Sequence, residues 1–215
     1  MRGYYIYIAL IILVVCLLIL NIRIQGFTSE LKTVVLLGDS ILKNNNYVPA
    51  DKSVESLLQV QIQSTGNTMH FLAKDDSHIS DIEKQTTNMP NGAYIFLSVG
   101  GNDILSYIRM NSINSQQITS LFNKYRDLVN SILQKYTPKR IYMLNIYFPT
   151  DMSLQPFYKY ISQWNKLLEN FSKSNSLFEI IYINNACKDS SDFVDLIEPS
   201  SICSKKITDI IFGLI

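Results

Sequence analysis

Val34-Val35-Leu36-Leu37-Gly38-Asp39-Ser40-Ile41-Leu42 is the stretch whose reading decides the fold. A short valine and leucine run that ends in a turn signal predicts a buried strand of a parallel sheet. Gly38 permits a tight turn where that strand must end. A serine just past a strand end exposes its hydroxyl above the sheet edge, where neighbouring backbone N–H groups can face a developing oxyanion. An ordinary strand, a turn and a serine capping the next segment would read the same way. The rest of the chain separates the two.

Toward the C-terminus, strand and helix patterns alternate. Apolar residues at helical spacing (Val54, Leu57, Leu58, Val60) predict a helix over 53–63, and a second strand follows over 68–72. A short helix over 79–87 and a third strand over 93–99 come next. Ile118, Phe122, Tyr125, Val129 and Leu133 mark one face of a long helix over 115–136. Strands over 141–146 and 178–183, with helices over 156–171 and 201–212, complete the pattern. Such alternation predicts an α/β fold: a three-layer α/β/α sandwich around a mostly parallel five-stranded sheet.

Toward the N-terminus, residues 4–22 are almost unbroken Ile, Leu, Val, Tyr and Ala, between Arg2 and Arg23. That length suits a membrane-spanning helix of about 20 residues. The following residues offer no small-residue cleavage site, so the segment reads as a signal anchor rather than a removable signal. The expected organisation is an anchor over 1–23, a linker over 24–32 and a folded domain over 33–215. Arg2 nearly balances Arg23 and Lys32 on the positive-inside rule, and the reading places the domain on the non-cytosolic side.

The 215 residues carry a net charge of +1, which leaves no electrostatic footprint for nucleic acid. Cys187 and Cys203 flank the last loop and can meet in an oxidising compartment, although two separate thiols is the simpler expectation. No Cys or His pair has ligand spacing, so no metal is expected, and no organic cofactor is implied. Asn44-Asn45-Asn46 reads as a turn, and Lys205 and Lys206 as a solvated helix face.

Chemistry-bearing residues recur where strands end, the place where α/β sheets gather function. Gly100-Gly101-Asn102-Asp103 follows the third strand; its glycines let a ligand approach the backbone, and the Asn102 amide can donate to an oxyanion. Asp195-Leu196-Ile197-Glu198-Pro199-Ser200 precedes the last helix, with Pro199 suited to its first turn and Glu198 on a loop top. Together with Val35–Ser40 and the segment 75–85, these blocks fall in the order that resembles the GDSL, or SGNH, superfamily of esterases and lipases.

The resemblance implies a Ser40 nucleophile whose own N–H is one oxyanion donor, with Asn102 as the side-chain donor and Gly101 beside it. Asp195 matches the acid of the family's Asp-x-x-His block. Two positions depart from the pattern. Glu198 stands where the family has its catalytic histidine, and Asp76 stands where it has an oxyanion glycine. A branch of the superfamily whose last block reads Ile-Glu-Pro-Ser is the best match, although it has Gly-Gly where this chain has Cys203-Ser204.

A serine nucleophile needs a base, and an ordinary glutamate lies about 2 pKa units below histidine, a handicap of roughly 3 kcal/mol. Three arrangements are open. Asp195 and Glu198 can lift one another's pKa; His78, in the loop after Asp76, can reach the site; or the base is missing and the protein only binds. The reading is an acyl hydrolase acting on an ester of a lipid or acylated glycan, tethered to a membrane. A catalytically impaired binding protein and a structural envelope component are the alternatives.

Overall fold

Thr33–Gly38 forms β1, as the valine and leucine run predicts. The structure is a computed structural model and describes Val14, Val15 and residues 30–215. The chain divides into Met1–Leu31 and Lys32–Ile215, and the second unit carries the fold. The expected membrane anchor lies outside the described residues; among those described, no helix is long and apolar enough to cross a membrane.

Four further strands join β1: β2 (Thr68–Phe71), β3 (Tyr94–Ser98), β4 (Arg140–Leu144) and β5 (Phe178–Ile181). Their order is β2-β1-β3-β4-β5, and every neighbouring pair is parallel. The helices are α1 (Val54–Ser64), α2 (Ile82–Gln85), α3 (Gly101–Arg109), α4 (Ser115–Tyr136), α5 (Tyr158–Ser172), α6 (Ile183–Ala186) and α7 (Ser201–Gly213). Side chains alternate across β1 with the period of 2 that a strand imposes. Val34 and Leu36 join one core with Leu58 of α1 and Ile207 of α7. Val35 and Leu37 join the other with Tyr125 of α4 and Trp164 of α5. The expected three layers are present.

The strand order reverses between β1 and β3, which opens a crevice at their carboxyl ends. Ser40 follows β1 and Gly100 follows β3, so topology brings two of the sequence blocks to one crevice.

Several local expectations need correction. The glycine-rich stretch expected as a loop runs into a helix, Gly101–Arg109: Ile104, Leu105 and Ile108 give it an apolar face, outweighing Gly101, a weak helix former. The segment expected as one helix over 79–87 breaks into a 3-10 turn, α2 and a second 3-10 turn. The fifth strand stops at Ile181, and α6 follows it. Glu198 and Pro199 form a short strand, β7, antiparallel to β6 (Phe193–Val194). Pro199 therefore lies outside α7, and Ser200 caps that helix by accepting from the N–H groups of Ile202 and Cys203.

Cys187 and Cys203 are joined in a disulfide, contrary to the expectation of separate thiols. Lys206 is no solvated surface residue: its ammonium reaches the Asp192 carboxylate at 2.7 Å and the Ala186 carbonyl at 2.9 Å. Asn44 is no simple turn residue either, because it is wholly buried and hydrogen-bonded on both sides of its amide.

Candidate active site

The nucleophile turn is built from β1 outward. Gly38 has φ of 135°, and a Cβ placed there would lie 1.9 Å from the Ser98 carbonyl oxygen of β3. Only glycine fits, because φ is in the region L side chains rarely adopt and the neighbouring strand fills the space. The Asp39 N–H then donates to the Ser98 carbonyl at 3.0 Å. The Leu42 and Lys43 N–H groups donate to the Asp39 carbonyl at 3.1 and 2.9 Å, closing a single helical turn that begins with Ser40. Among the described residues the Ser40 N–H has no hydrogen-bond partner, so it remains available to a ligand.

Asp39 holds this turn through its side chain. Its Oδ1 accepts from Ser98 Oγ at 2.8 Å and from the Ile41 N–H at 3.2 Å. Burial pushes its carboxyl up to about 7, against those two donors and with help from the Glu198 charge.

Glu198 lies on β7 and lines the same cleft as Ser40. Burial raises its carboxyl above the ordinary glutamate value; hydrogen bonding from Ser40 opposes the rise, and the charges of Asp75, Asp195 and Asp76 add to it. The residue is 9% exposed, and its Oε2 is buried without a partner. A buried carboxylate oxygen with no donor is a costly arrangement that a bound proton or ligand relieves. Tyr147 walls this side of the cleft and fixes the approach to β7 by donating its hydroxyl to the Ile197 carbonyl at 2.6 Å.

Asn102 occupies the first turn of α3, just past Gly100, whose φ of 115° and contact with Trp164 exclude a side chain. One Asn102 amide N–H donates to the Ser77 carbonyl at 3.1 Å, leaving the other for the cleft. Gly101 lines the cleft beside it. Asp76 adopts φ of 57°, which explains the glycine that the resemblance implies there: the backbone is left-handed, and aspartate tolerates that region better than most residues. Its N–H is unpartnered among the described residues. The loop is anchored through Asp75, which accepts from Asn46 Nδ2 at 2.8 Å and from the Tyr47 hydroxyl at 3.2 Å.

Asp195, His78 and Asp76 do not line this cleft, although the Asp76 charge acts on Glu198. Asp195 stands exposed at the tip of the β6–β7 hairpin, at φ of 46°, and acts on Glu198 through its charge. His78 faces Asp103, with Nδ1 3.4 Å from Oδ1, along a separate groove lined by Tyr107 and Lys124. Burial raises the Asp103 carboxyl, while the Ile79 N–H and His78 hold it down.

The remainder of the cleft is apolar. Ile104 and Ile108 of α3, Ile146 after β4, Leu154 and Phe157 before α5, and Ile161 within it line its walls. Sequence patterning singled out none of these residues. Two buried, hydrogen-bonded polar residues also escaped it, Gln85 and Asn44, because a buried polar residue carries no periodic signal.

No protein-family model and no curated protein sequence matches the chain. Solved structures do. A phospholipase A1 from Streptomyces albidoflavus NA297 superposes with a TM-score of 0.67 at 13% identity, covering 86% of this chain and 99% of that one. A lipase/acylhydrolase from Enterococcus faecalis gives 0.63 at 16% identity, covering 86% and 95%. An acetyl-xylooligosaccharide esterase from Geobacillus gives 0.64 at 12% identity, covering 85% and 93%. At these identities the likeness shows that the chain shares the fold of these structures.

Proposed function

We propose that this chain is a serine acyl hydrolase of the SGNH type, acting on esters with an apolar acyl group. The observation that carries the reading is that Ser40 and Glu198, one carboxylate oxygen of which is buried without a partner, line the same apolar cleft. Ser40 Oγ attacks the ester carbonyl and its proton passes to Glu198. The Ser40 and Asp76 N–H groups and the free Asn102 amide N–H receive the oxyanion. Collapse of the tetrahedral intermediate breaks the bond to the alcohol, which leaves with the proton from Glu198. Water then attacks the acyl-enzyme, giving a proton to Glu198; collapse breaks the bond to Ser40 Oγ, which takes that proton back from Glu198 as the acid leaves.

Its raised pKa makes Glu198 a stronger base than an ordinary glutamate. The apolar walls favour a hydrocarbon acyl chain over an acetyl group, since each buried methylene contributes about 0.8 kcal/mol.

Membrane tethering through residues 4–22, with the domain on the non-cytosolic side, belongs to the same proposal. The apolar run and the Cys187–Cys203 disulfide support it, since structural disulfides persist in oxidising compartments. A binding protein on the same fold is the second reading, favoured by the absence of any imidazole from the cleft lining.

Labelling with a fluorophosphonate, with Ser40→Ala as control, tests the proposal. Serine-dependent labelling together with turnover lost in Glu198→Gln supports it. A folded protein that neither labels nor hydrolyses p-nitrophenyl octanoate overturns it in favour of the binding protein.

A further inference from the structure

Gln85 is the last residue of α2, 5% exposed, and closes the 75–85 block, where the sequence assigned it no role of its own. Its side-chain amide pairs with both backbone groups of Gly38: Oε1 accepts from the N–H at 2.8 Å, and Nε2 donates to the carbonyl at 2.9 Å. The second Nε2 hydrogen goes to Ser77 Oγ at 3.0 Å. Beyond the end of β2, the chain still follows β1, with Leu72 N–H bonded to the Leu36 carbonyl and Lys74 N–H to the Gly38 carbonyl. No strand remains to meet the Gly38 N–H, and the Gln85 amide takes the place of a peptide there.

Gly38 leads directly into the Ser40 turn, and Ser77 directly follows Asp76. One planar group therefore joins the two backbone segments that carry the unpartnered N–H groups. A primary amide is the side chain with one acceptor and two donors at this reach; glutamate lacks the donors, and methionine lacks all three groups. Ser77 is held again from the other side by Asn102, which donates to its carbonyl.

We infer that Gln85 is a positioning residue that fixes the spacing between the Ser40 and Asp76 oxyanion donors. This assignment rests on the acyl-hydrolase reading. Gln85 touches no substrate; it acts through Gly38 and Ser77.

The test compares wild-type protein with Gln85→Met, Gln85→Glu and Ser77→Ala. The rates are kcat for p-nitrophenyl octanoate, counted per Ser40 titrated by fluorophosphonate, so that unfolded protein drops out. Gln85→Met is expected to lose about 100-fold in kcat per titrated site, with KM unchanged, the scale expected of a misplaced reacting group. Its affinity for an alkylboronic acid, which forms the tetrahedral adduct, falls in parallel. In Gln85→Glu, the ratio of variant to wild-type kcat falls as pH rises, because the protonated acid can donate and the carboxylate cannot.

Ser77→Ala removes only the loop-side bond and keeps the assignment testable if Gln85→Met does not fold. It is expected to show a smaller loss of the same kind. Wild-type kcat and boronate affinity in either folded variant would overturn the assignment alone. Wild-type protein that neither labels nor turns over would overturn the acyl-hydrolase reading and the assignment with it.

Discussion

The Asn44 side-chain amide donates to the Pro199 carbonyl at 3.1 Å, tying the segment after the nucleophile to the residue after the candidate base. The same amide donates to Ser204 Oγ at 2.6 Å, and its oxygen accepts from the Val54 N–H at 3.0 Å. Ser40 and Glu198 are far apart in sequence, and this contact holds their two segments in one frame.

Asn44→Leu fills the space but removes the partner of the Pro199 carbonyl and of the Val54 N–H, while the Ser204 hydroxyl keeps its bond to the Ser200 carbonyl. Each unsatisfied buried group costs about 1–3 kcal/mol, so the variant should lose several kcal/mol in urea unfolding. Asn44→Asp should lose less, because its oxygen still meets the Val54 N–H. Equal stability of Asn44→Leu and wild type would show that this clamp contributes nothing.

Lys206→Met should destabilise by about 2–3 kcal/mol at neutral pH, since a hydrogen bond to a charged group is removed from the fully buried Asp192. The carboxylate keeps the Lys188 and Asp189 N–H donors, which limits the loss. Burial alone would raise this carboxyl, but Lys206 and those N–H groups hold it below its ordinary value. The pair therefore contributes above the unfolded pKa and fades as pH falls through the folded one, so wild type and variant should converge in acid. Thermal melts across the acid range would reveal that convergence.

Asp39 has the opposite sign. Its carboxyl rises from 3.8 to about 7 on folding, so the folded state binds the extra proton. Its contribution is complete below the unfolded value and is lost as pH climbs toward the folded one, by up to ~4 kcal/mol. Asp39→Asn keeps an acceptor for Ser98 and Ile41 while removing the titration. Its stability should change much less than that of wild type between about pH 4 and 7. An identical slope in the two proteins would place the titrating group elsewhere.

The disulfide closes a segment in which the cysteines are 16 residues apart, and the β6–β7 hairpin bearing Glu198 lies inside it. A loop of that size is worth about 3 kcal/mol by constraining the unfolded chain. Cys187→Ser with Cys203→Ser should lower the melting temperature accordingly. It should also reduce kcat, because the hairpin then depends on noncovalent contacts such as those of Asn44, Tyr147 and Ser200. A double variant with unchanged kcat would show that these contacts suffice.

Acyl-chain preference gives a reading of the cleft itself. Burial of methylenes predicts kcat/KM rising about fourfold per added carbon from acetate upward, until the cleft is filled. Flat rates from acetate to octanoate would assign the apolar walls to packing rather than to substrate.

The sequence by itself determined the strand and helix alternation, the buried β1, the ends of β1 and β3 as places for chemistry, and Ser40, Asn102 and Glu198 as cleft residues. These are local properties: periodicity fixes which face is buried, and a glycine that ends a strand fixes where the chain turns. The tertiary structure alone decided what surrounds them. Gln85 and Asn44 became clamps because crossovers brought distant backbone groups within hydrogen-bond reach. Cys187 met Cys203, and Lys206 met Asp192, because α7 folds back over the last loop. His78 turned toward Asp103, away from the cleft lining. Asp76 took a left-handed backbone where sequence showed only a replaced glycine. Burial, which no residue carries in its own identity, set the proton affinities of Asp39 and Glu198. A one-dimensional pattern names the groups, but their charges and partners are fixed only when packing removes water and brings distant segments together.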